Sequence, residues 1–514
     1  MFSRVISAAV YGIDAYIVNV ETDVGSGLPT FDMSGALGSK VREAKDRVRV
    51  AIKNSGIELT PQKIVINISP ANIRKEGTIY DLPIAIGILA ANGCFDLKIL
   101  ENVLIIGEVS LDGSINPVKG VLPMVCAAKE AGIDNCIIPK ANIAEGRIIN
   151  NINIYGVETL SQTIEILKNI AVIDESIKFT YGSEVKNNNH SCSYNIDYSD
   201  ISGQEAAKRA TMIAVSGMHN IMYIGPPGSG KTMLAQRIPT IMPDMDYEEQ
   251  LRLTKIYSVA GLLDSEGGIM VKRPFRNPHH TITQAALLGG GAVPRPGEIT
   301  LSEGGVLFLD EMTEFNQVIM EALRQPLEDK VITIVRVNAA YTYPAHFMLA
   351  AAINPCKCGY YPDRNRCHCS EYDIRRYIGR ISNPMWDRFD MCVKVDEVSY
   401  EVMRNKENVD TIYNSTDMKN KVEAARQMQK DRFKKLDINY NSQMGVREIH
   451  KYCTLNVECN ELMERMYKQH HMSARAYNKV LKTARTIADL KGSVNIEKEH
   501  LTEALFYKNC EVKS

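Results

Sequence analysis

The residues with the plainest chemistry form one short stretch, Gly225-Pro226-Pro227-Gly228-Ser229-Gly230-Lys231-Thr232. Glycines spaced this way let the backbone curl, so that successive amides face the oxygens of a phosphate chain. Lys231 is spaced to reach the β- and γ-phosphates, and Thr232 offers a hydroxyl to magnesium. A second stretch, Val306-Leu-Phe-Leu309 followed by Asp310 and Glu311, supplies the missing carboxylates. Asp310 at the end of an apolar strand would hold magnesium, and Glu311 would polarise an attacking water. ATP and Mg2+ are the cofactors these two stretches predict together; either alone is a much weaker signal.

Four of the twelve cysteines crowd into fourteen residues, at Cys356, Cys358, Cys367 and Cys369. Four thiolates satisfy tetrahedral zinc, and a reducing compartment keeps them available. A structural Zn2+ site is one expectation and a reduced, cysteine-rich turn is the other. The one-residue spacers are less usual than two, and His368 could stand in for a cysteine. His279 and His280 are adjacent, so they cannot share a helix face and are not expected to be ligands.

These groups need elements to hold them. Ile221-Met-Tyr-Ile224 is a strand candidate running into the glycine loop, and Met233 to Arg237 continues as a helix whose N-terminus faces the phosphate site. Phe347 to Ile353 is another apolar strand. Ser202-Gly-Gln-Glu205 has capping-box spacing ahead of an apolar helix, compatible with a place beside the adenine. Before this block, Lys63–Ile68 and Val103–Ile106 read as strands and Val41 to Asn54 as a helix, with Val41, Ala44, Val48, Ala51 and Ile52 on one face. After it come long amphipathic helices, marked by Leu462, Met463 and Met466 and by Val480, Leu481, Ala484, Ile487 and Ala488. The expected organisation is an α/β domain over 1–170, a polar linker over 171–198, an α/β nucleotide-binding core over 199–395 and a helical lid over 396–514.

Composition limits the partners. The 514 residues are 45% hydrophobic and 24% charged, with 60 basic against 61 acidic side chains and a formal charge of −1. Any nucleic-acid binding must come from a local basic surface. No apolar run is long enough to span a bilayer and no secretory leader is recognisable, so a cytoplasmic protein without a membrane partner is expected.

From Asp200 onward the chain resembles the magnesium-chelatase-like branch of AAA+ ATPases. The resemblance is carried by Pro274-Phe-Arg-Asn-Pro-His-His-Thr281, Gly289-Gly-Gly291, Pro296-Gly-Glu298, Leu323-Arg-Gln-Pro-Leu-Glu328 and Ala352-Ile-Asn-Pro-Cys356. With the N-terminal block it extends over nearly the whole chain and resembles the YifB/ComM family, which implies hexameric motors acting on DNA in branch migration, recombination or natural transformation. It implies an αβα parallel-sheet core, and the spacing between Lys231 and Asp310 leaves room for that branch's inserted hairpin. By the same resemblance Asn354 is the first sensor, Arg388 the arginine finger entering a neighbouring subunit's site, and Arg475 the second sensor on the lid.

The N-terminal block is similar to the proteolytic domain of the Lon family (an S5 domain 2-like α/β fold), through Gly107-Glu-Val-Ser-Leu-Asp-Gly113, Pro117-Val-Lys-Gly120 and Ala127 to Ile133. That chemistry needs a serine activated by a lysine. Here the serine position falls within Tyr80-Asp81-Leu82 and the lysine position on Leu122, with Lys119 nearby, so the resemblance implies a fold without its protease. Within the expected insertion, Lys272-Arg-Pro-Phe-Arg276 is a basic, partly aromatic stretch suited to tracking phosphates around a ring, or else a solvated loop or subunit contact. The alternative activities are a chelatase-like or chaperone-like remodelling ATPase with a protein client, and a scaffold that uses ATP as a switch.

Overall fold

The computed structural model describes residues 1–170, 194–263, 268–291, 294–336, 339–400 and 413–508. Most of the expected linker, 171–193, lies outside the described residues.

The N-terminal lobe is built on a seven-stranded sheet of order β3-β4-β2-β1-β5-β8-β9. Its strands are β1 (Phe2–Tyr11), β2 (Asp14–Gly25), β3 (Phe31–Ser34), β4 (Lys63–Ser69), β5 (Val103–Ile105), β8 (Asn135–Pro139) and β9 (Asn153–Val157). A small ribbon, β6 (Glu108–Val109) with β7 (Ile115–Asn116), stands apart. The strands β1 and β2 form an antiparallel hairpin that sets Val5 opposite Val20, both buried. The expected helix over 41–54 is two, Ser39–Arg42 and Ala44–Asn54, interrupted at Glu43, yet all five predicted inward positions are buried. The helix Asp81–Ala91 is apolar on every face after its first residue and buried throughout, as a helix without a polar face must be.

The second lobe carries a five-stranded sheet of order β11-β14-β17-β10-β18. Its members are β10 (Ile221–Ile224), β11 (Phe275–Arg276), β14 (Val306–Leu309), β17 (Met348–Ile353) and β18 (Met391–Lys394), every neighbouring pair parallel. The continuous apolar runs follow from burial of both faces. Period-two alternation sends Tyr223, Phe308 and Ala350 into one core, and Met222, Leu307, Leu309 and Leu349 into the other. All four residues of β10 and of β14 are buried.

The chain ends in helices, among them Ser415–Phe433, Val457–Gln469, Ala474–Leu490 and Lys498–Lys508. They share one core with the helix Glu205–Gly217, through Met418, Val422, Leu481 and Ala484. Polar anchors fix the docking, with Gln429 Nε2 donating to the Ser216 carbonyl at 2.8 Å and His219 bonded to Thr486 at 2.8 Å.

Two expectations change. The capping box at Ser202 is not formed: the helix starts at Glu205 after Gln204, which sits in the left-handed region at φ 61°. Between Lys231 and Asp310 the only ribbon among the described residues is β12 (Gly289–Gly290) with β13 (Arg295–Pro296). The substantial hairpin, β15 (Val331–Arg336) with β16 (Ala339–Pro344), follows Asp310 instead.

The helix Tyr247–Ala260 joins the lobes. Asp246 caps it, accepting from Glu249 N at 2.9 Å. Its inner face is tied to the second lobe, Tyr257 Oη donating to the Leu301 carbonyl at 3.0 Å. Its outer face meets the first lobe. Leu251 packs on that lobe's core, Lys255 pairs with Asp14 at 3.0 Å, and Ser258 Oγ donates to the Glu145 carboxylate. Burial pushes the Glu145 carboxyl up, against the hydrogen bonds it accepts from Ser258, Leu122 N and Asn142.

Candidate nucleotide site

Strand β10 ends directly in the glycine loop, and Lys231–Gln236 begins a helix from it. Gly228 and Gly230 take φ of 79° and 89°, and the space beside both is open. Left-handed backbone at two such points turns the intervening amides to one side, as an anion cradle requires. The Ser229 hydroxyl is buried there without a partner. Lys231 Nζ donates to the Gly225 and Pro226 carbonyls, both at 2.7 Å, and to Asn354 Oδ1 at 3.1 Å. Those oxygens occupy the ammonium where phosphate oxygens would otherwise do so. Burial lowers the Lys231 ammonium to about 8, although Asp310 and Glu311 pull the other way.

Thr232 Oγ1 donates to Asp310 Oδ2 at 2.7 Å, joining the loop to the end of β14. The other Asp310 oxygen accepts from Glu311 N at 3.0 Å. Glu311 holds φ 49° and ψ 47° with an exposed side chain. A left-handed glutamate costs about 1 kcal/mol or more, a strain that turns its carboxylate off the strand axis. Lys231, Thr232, Asp310, Glu311 and Asn354 thus gather at the carboxyl ends of three adjacent strands, where open parallel sheets bind ligands. The donors and acceptors fit a magnesium nucleotide: an orphaned hydroxyl, an ammonium, open glycine faces and a hydroxyl–carboxylate pair.

Arg388 lies elsewhere. Its carbonyl accepts from Asn220 Nδ2 at 2.9 Å, and Asn220 immediately precedes β10. It is therefore at the amino end of the sheet, opposite its own glycine loop. Its guanidinium pairs with Glu328 while Nε is buried without an acceptor. Arg475 is exposed in the first turn of Ala474–Leu490 and forms no ion pair among the described residues. One turn further, Lys479 Nζ donates to the Asp387 and Phe389 carbonyls and pairs with Asp390 at 3.1 Å, fastening this helix to the Arg388 loop.

The four cysteines converge. Sγ separations are 3.2 Å for Cys356–Cys358, 3.5 Å for Cys358–Cys367 and 3.7 Å for Cys356–Cys367, and all four sulfurs, Cys369 included, lie within 4.8 Å of one another. Tetrahedral sites with zinc–sulfur bonds of about 2.3 Å have sulfur edges of about 3.8 Å, so this cluster can hold such a metal.

The basic stretch does not behave as expected. Phe275 and Arg276 are the edge strand of the main sheet rather than part of an insertion. Arg273 is buried on the Pro243 and Gly304 carbonyls and Glu249. Arg276 grips Glu298 with two bonds of 2.6 and 2.7 Å. These cations are spent internally, leaving Lys272 exposed.

In the N-terminal lobe, the position expected for a serine holds Tyr80, Asp81 and Leu82, all buried, with Asp81 accepting from Arg47 at 2.8 and 2.9 Å. Leu122 is fully buried, and Lys119 is exposed and directed to the Ala260 carbonyl.

Two contributors escaped the sequence. Gln204 Nε2 donates to the Ser229 carbonyl at 3.2 Å and the Asp396 carbonyl at 2.5 Å, bracing the glycine loop from one side. Glu328 is the partner of Arg388, and only its place in the Leu323–Glu328 motif hinted at a role.

Comparison with known proteins places the chain in a family. The family described as "Magnesium chelatase, subunit ChlI" matches residues 197–403, "Subunit ChlI of Mg-chelatase" matches 20–142, and "Magnesium chelatase, subunit ChlI C-terminal" matches 413–508. Competence protein ComM of Haemophilus influenzae is 38% identical over 506 residues, spanning 98% of this chain and 97% of that protein. YifB of Escherichia coli is also 38% identical over 506 residues, with the same shares covered. An archaeal Lon protease from Thermococcus kodakarensis is 31% identical over 139 residues, 26% of this chain and 22% of that protein, in keeping with a Lon-like N-terminal lobe. Full-length identity at this level, with a parallel-sheet core and helical C-terminus, makes the chain a member of the magnesium-chelatase-like AAA+ family that includes ComM and YifB.

Proposed function

We propose that the protein is a cytoplasmic, ring-forming Mg-ATP hydrolase, hexameric as the family resemblance implies, that moves on branched or single-stranded DNA during recombination or transformation. The observation that carries the reading is the convergence of Lys231, Thr232, Asp310, Glu311 and Asn354 at one end of the sheet, with Arg388 at the other. When bound, the magnesium nucleotide supplies the phosphoanhydride to be split. The loop amides and Lys231 would bind and orient its phosphates, Thr232 and Asp310 would hold magnesium, and Glu311 would take the proton of the attacking water. Asn354 would align that water. Arg388 would serve the next subunit, since its own pocket is a strand-length away; its unpaired Nε and surface Glu328 partner favour release to such a contact. Arg475, on the helix fastened to the same loop, would act from the same side.

We retain the four-part division of the chain at 170, 198 and 395, and read the N-terminal lobe as a non-proteolytic fold: hydrocarbon and an ion pair stand where the dyad should. The DNA reading draws on the competence role in the name of the Haemophilus relative. The solvent-facing side of the β15–β16 hairpin, with Val335 71% exposed and Arg336 exposed beside it while donating to the Gly291 carbonyl at 3.2 Å, is a better surface for it than the 272–276 stretch, whose arginines are paired with carboxylates. The family's chelatase description favours the second reading, a remodelling ATPase with a protein client. The test is ATPase rate with and without single-stranded, duplex and four-way-junction DNA at fixed salt. Stimulation by DNA supports the motor; stimulation only by a protein client overturns the DNA assignment.

A further inference from the structure

We propose that the four cysteines bind zinc in order to brace the phosphate-binding loop, so that metal occupancy at one site sets nucleotide affinity at the other. The inference rests on the nucleotide reading of residues 225–232 and adds a second, regulatory ligand to it.

The cysteine segment grows straight out of the site. The chain leaves β17 at Ile353, whose carbonyl accepts from Gly225 N at 3.2 Å; the next residue, Asn354, takes the Lys231 bond; Cys356 follows two residues later. Cys356 and Cys367 are buried, while Cys358 and Cys369 are half-buried, which leaves a route for a metal to enter. Backbone supports the sulfurs, with Tyr361 N donating to Cys356 Sγ at 3.4 Å.

Contact with the phosphate loop is made by Gly359, in the middle of the cluster. It has φ 90°, and a Cβ placed there would lie 2.8 Å from Pro227 Cγ and closer still to Cδ. Backbone of the cysteine loop therefore rests directly on the proline ring of the glycine loop. Gln204 supports the same loop at Ser229. Of these two supports, only the Gly359 side has a shape that a metal would decide. The eight residues between the cysteine pairs are held by local turns, such as Cys367 N to the Asp363 carbonyl at 2.8 Å, by Arg366 lying 3.9 Å over the Tyr360 ring, and by one distant tie, the exposed Arg366–Glu397 pair at 2.7 Å. Four metal–sulfur bonds would pin this segment, and with it the face on which Pro227 rests. Removing them would free Pro227 to shift, misaligning the amides that must point at phosphate. Coupling of this kind is reciprocal, so bound nucleotide must also hold zinc more tightly by the same factor.

The experiment uses the full-length chain. Zinc is counted by plasma mass spectrometry, and affinity for a fluorescent ATP analogue is measured with Mg2+ in excess, before and after stripping with a zinc-selective pyridyl chelator. The expected results are one zinc per chain, a ~10-fold weaker nucleotide affinity after stripping that Zn2+ restores, and a matching ~10-fold gain in zinc affinity when nucleotide is bound. Gly359→Ala should keep its zinc and still bind nucleotide ~10-fold more weakly, because its Cβ pushes Pro227 away. That zinc-loaded variant decides the matter if stripping unfolds the protein. Absence of zinc, or unchanged nucleotide affinity in both the stripped protein and Gly359→Ala, overturns the proposal. Lys231→Ala separates the two layers: if it binds nucleotide as wild type does, the nucleotide reading itself has failed; if it alone loses binding, only the brace has.

Discussion

Raising the pH from 7 to 9 should weaken nucleotide binding through a single side chain. Burial beneath the glycine loop lowers the Lys231 ammonium to about 8. The charged fraction is then ~90% at pH 7 and ~10% at pH 9, against nearly full charge throughout for an ordinary lysine. Only the ammonium can replace its Gly225, Pro226 and Asn354 acceptors with phosphate oxygens, so the apparent Kd should rise ~10-fold over this interval. The sign follows from the cause. Desolvation disfavours the charged form in the free protein, and the arriving phosphates restore it, so binding draws a proton from solution. At pH 8 that uptake should be ~0.5 proton per site, halfway through the titration. Calorimetry with ATPγS, whose terminal group is already ionised in this range, in Tris and in HEPES reads the uptake from the difference in heat. Lys231→Ala should bind weakly and without uptake. A flat Kd from pH 7 to 9 with no buffer-dependent heat would show that Lys231 does not meet the phosphates.

Other outcomes follow from the same geometry. Glu311→Gln should bind ATP normally and hydrolyse it ~100-fold more slowly, seen as retained radiolabelled ATP on the isolated protein. Arg388→Ala should likewise leave nucleotide binding intact while lowering turnover of the assembled protein ~1,000-fold, measured by phosphate release. Asp81→Ala strands Arg47 against a buried face and should cost about 3 kcal/mol in chemical denaturation of the N-terminal lobe. Glu303 is buried and its carboxyl is pushed up to about 7, above the ~4.3 of an unfolded glutamate. Its favourable contribution is complete below the unfolded value and lost as pH climbs through 7, so Glu303→Gln should stabilise the protein on the order of 2 kcal/mol at pH 8 and little at pH 5, by calorimetric melting.

The sequence exposed what lies in contiguous residues and concealed what depends on tertiary approach. The glycine loop and the Asp310–Glu311 pair were legible because their chemistry and their flanking strands occupy a few consecutive positions. Helical spacing also located Val41, Ala44, Val48, Ala51 and Ile52 correctly, despite the break at Glu43. Arg276 was misread because β11 is only two residues long, too short for any periodicity to mark it as sheet, and Arg273 because its acceptors on Pro243, Gly304 and Glu249 lie 24 to 31 positions away. The hairpin was expected before Asp310 since spacing alone cannot say on which side of a strand extra chain is stored. Gln204 was hidden by its left-handed backbone, which shifts the helix start and sends its amide to the loop instead of the cap. Gly359 was visible as a glycine, but its need for a bare Cα comes from Pro227, far away along the chain.

The helix Tyr247–Ala260 has a consequence for the lobe that rests on it. One side answers to Leu301 and the other to Glu145, Asp14 and the core beneath Leu251. Were residues 1–170 cut away, Leu251 would face water and Lys255 and Ser258 would lose the acceptors they now share with the first lobe. The Lon-like lobe is thus the roof of its neighbour, and whatever rocks that shared beam must carry both lobes together.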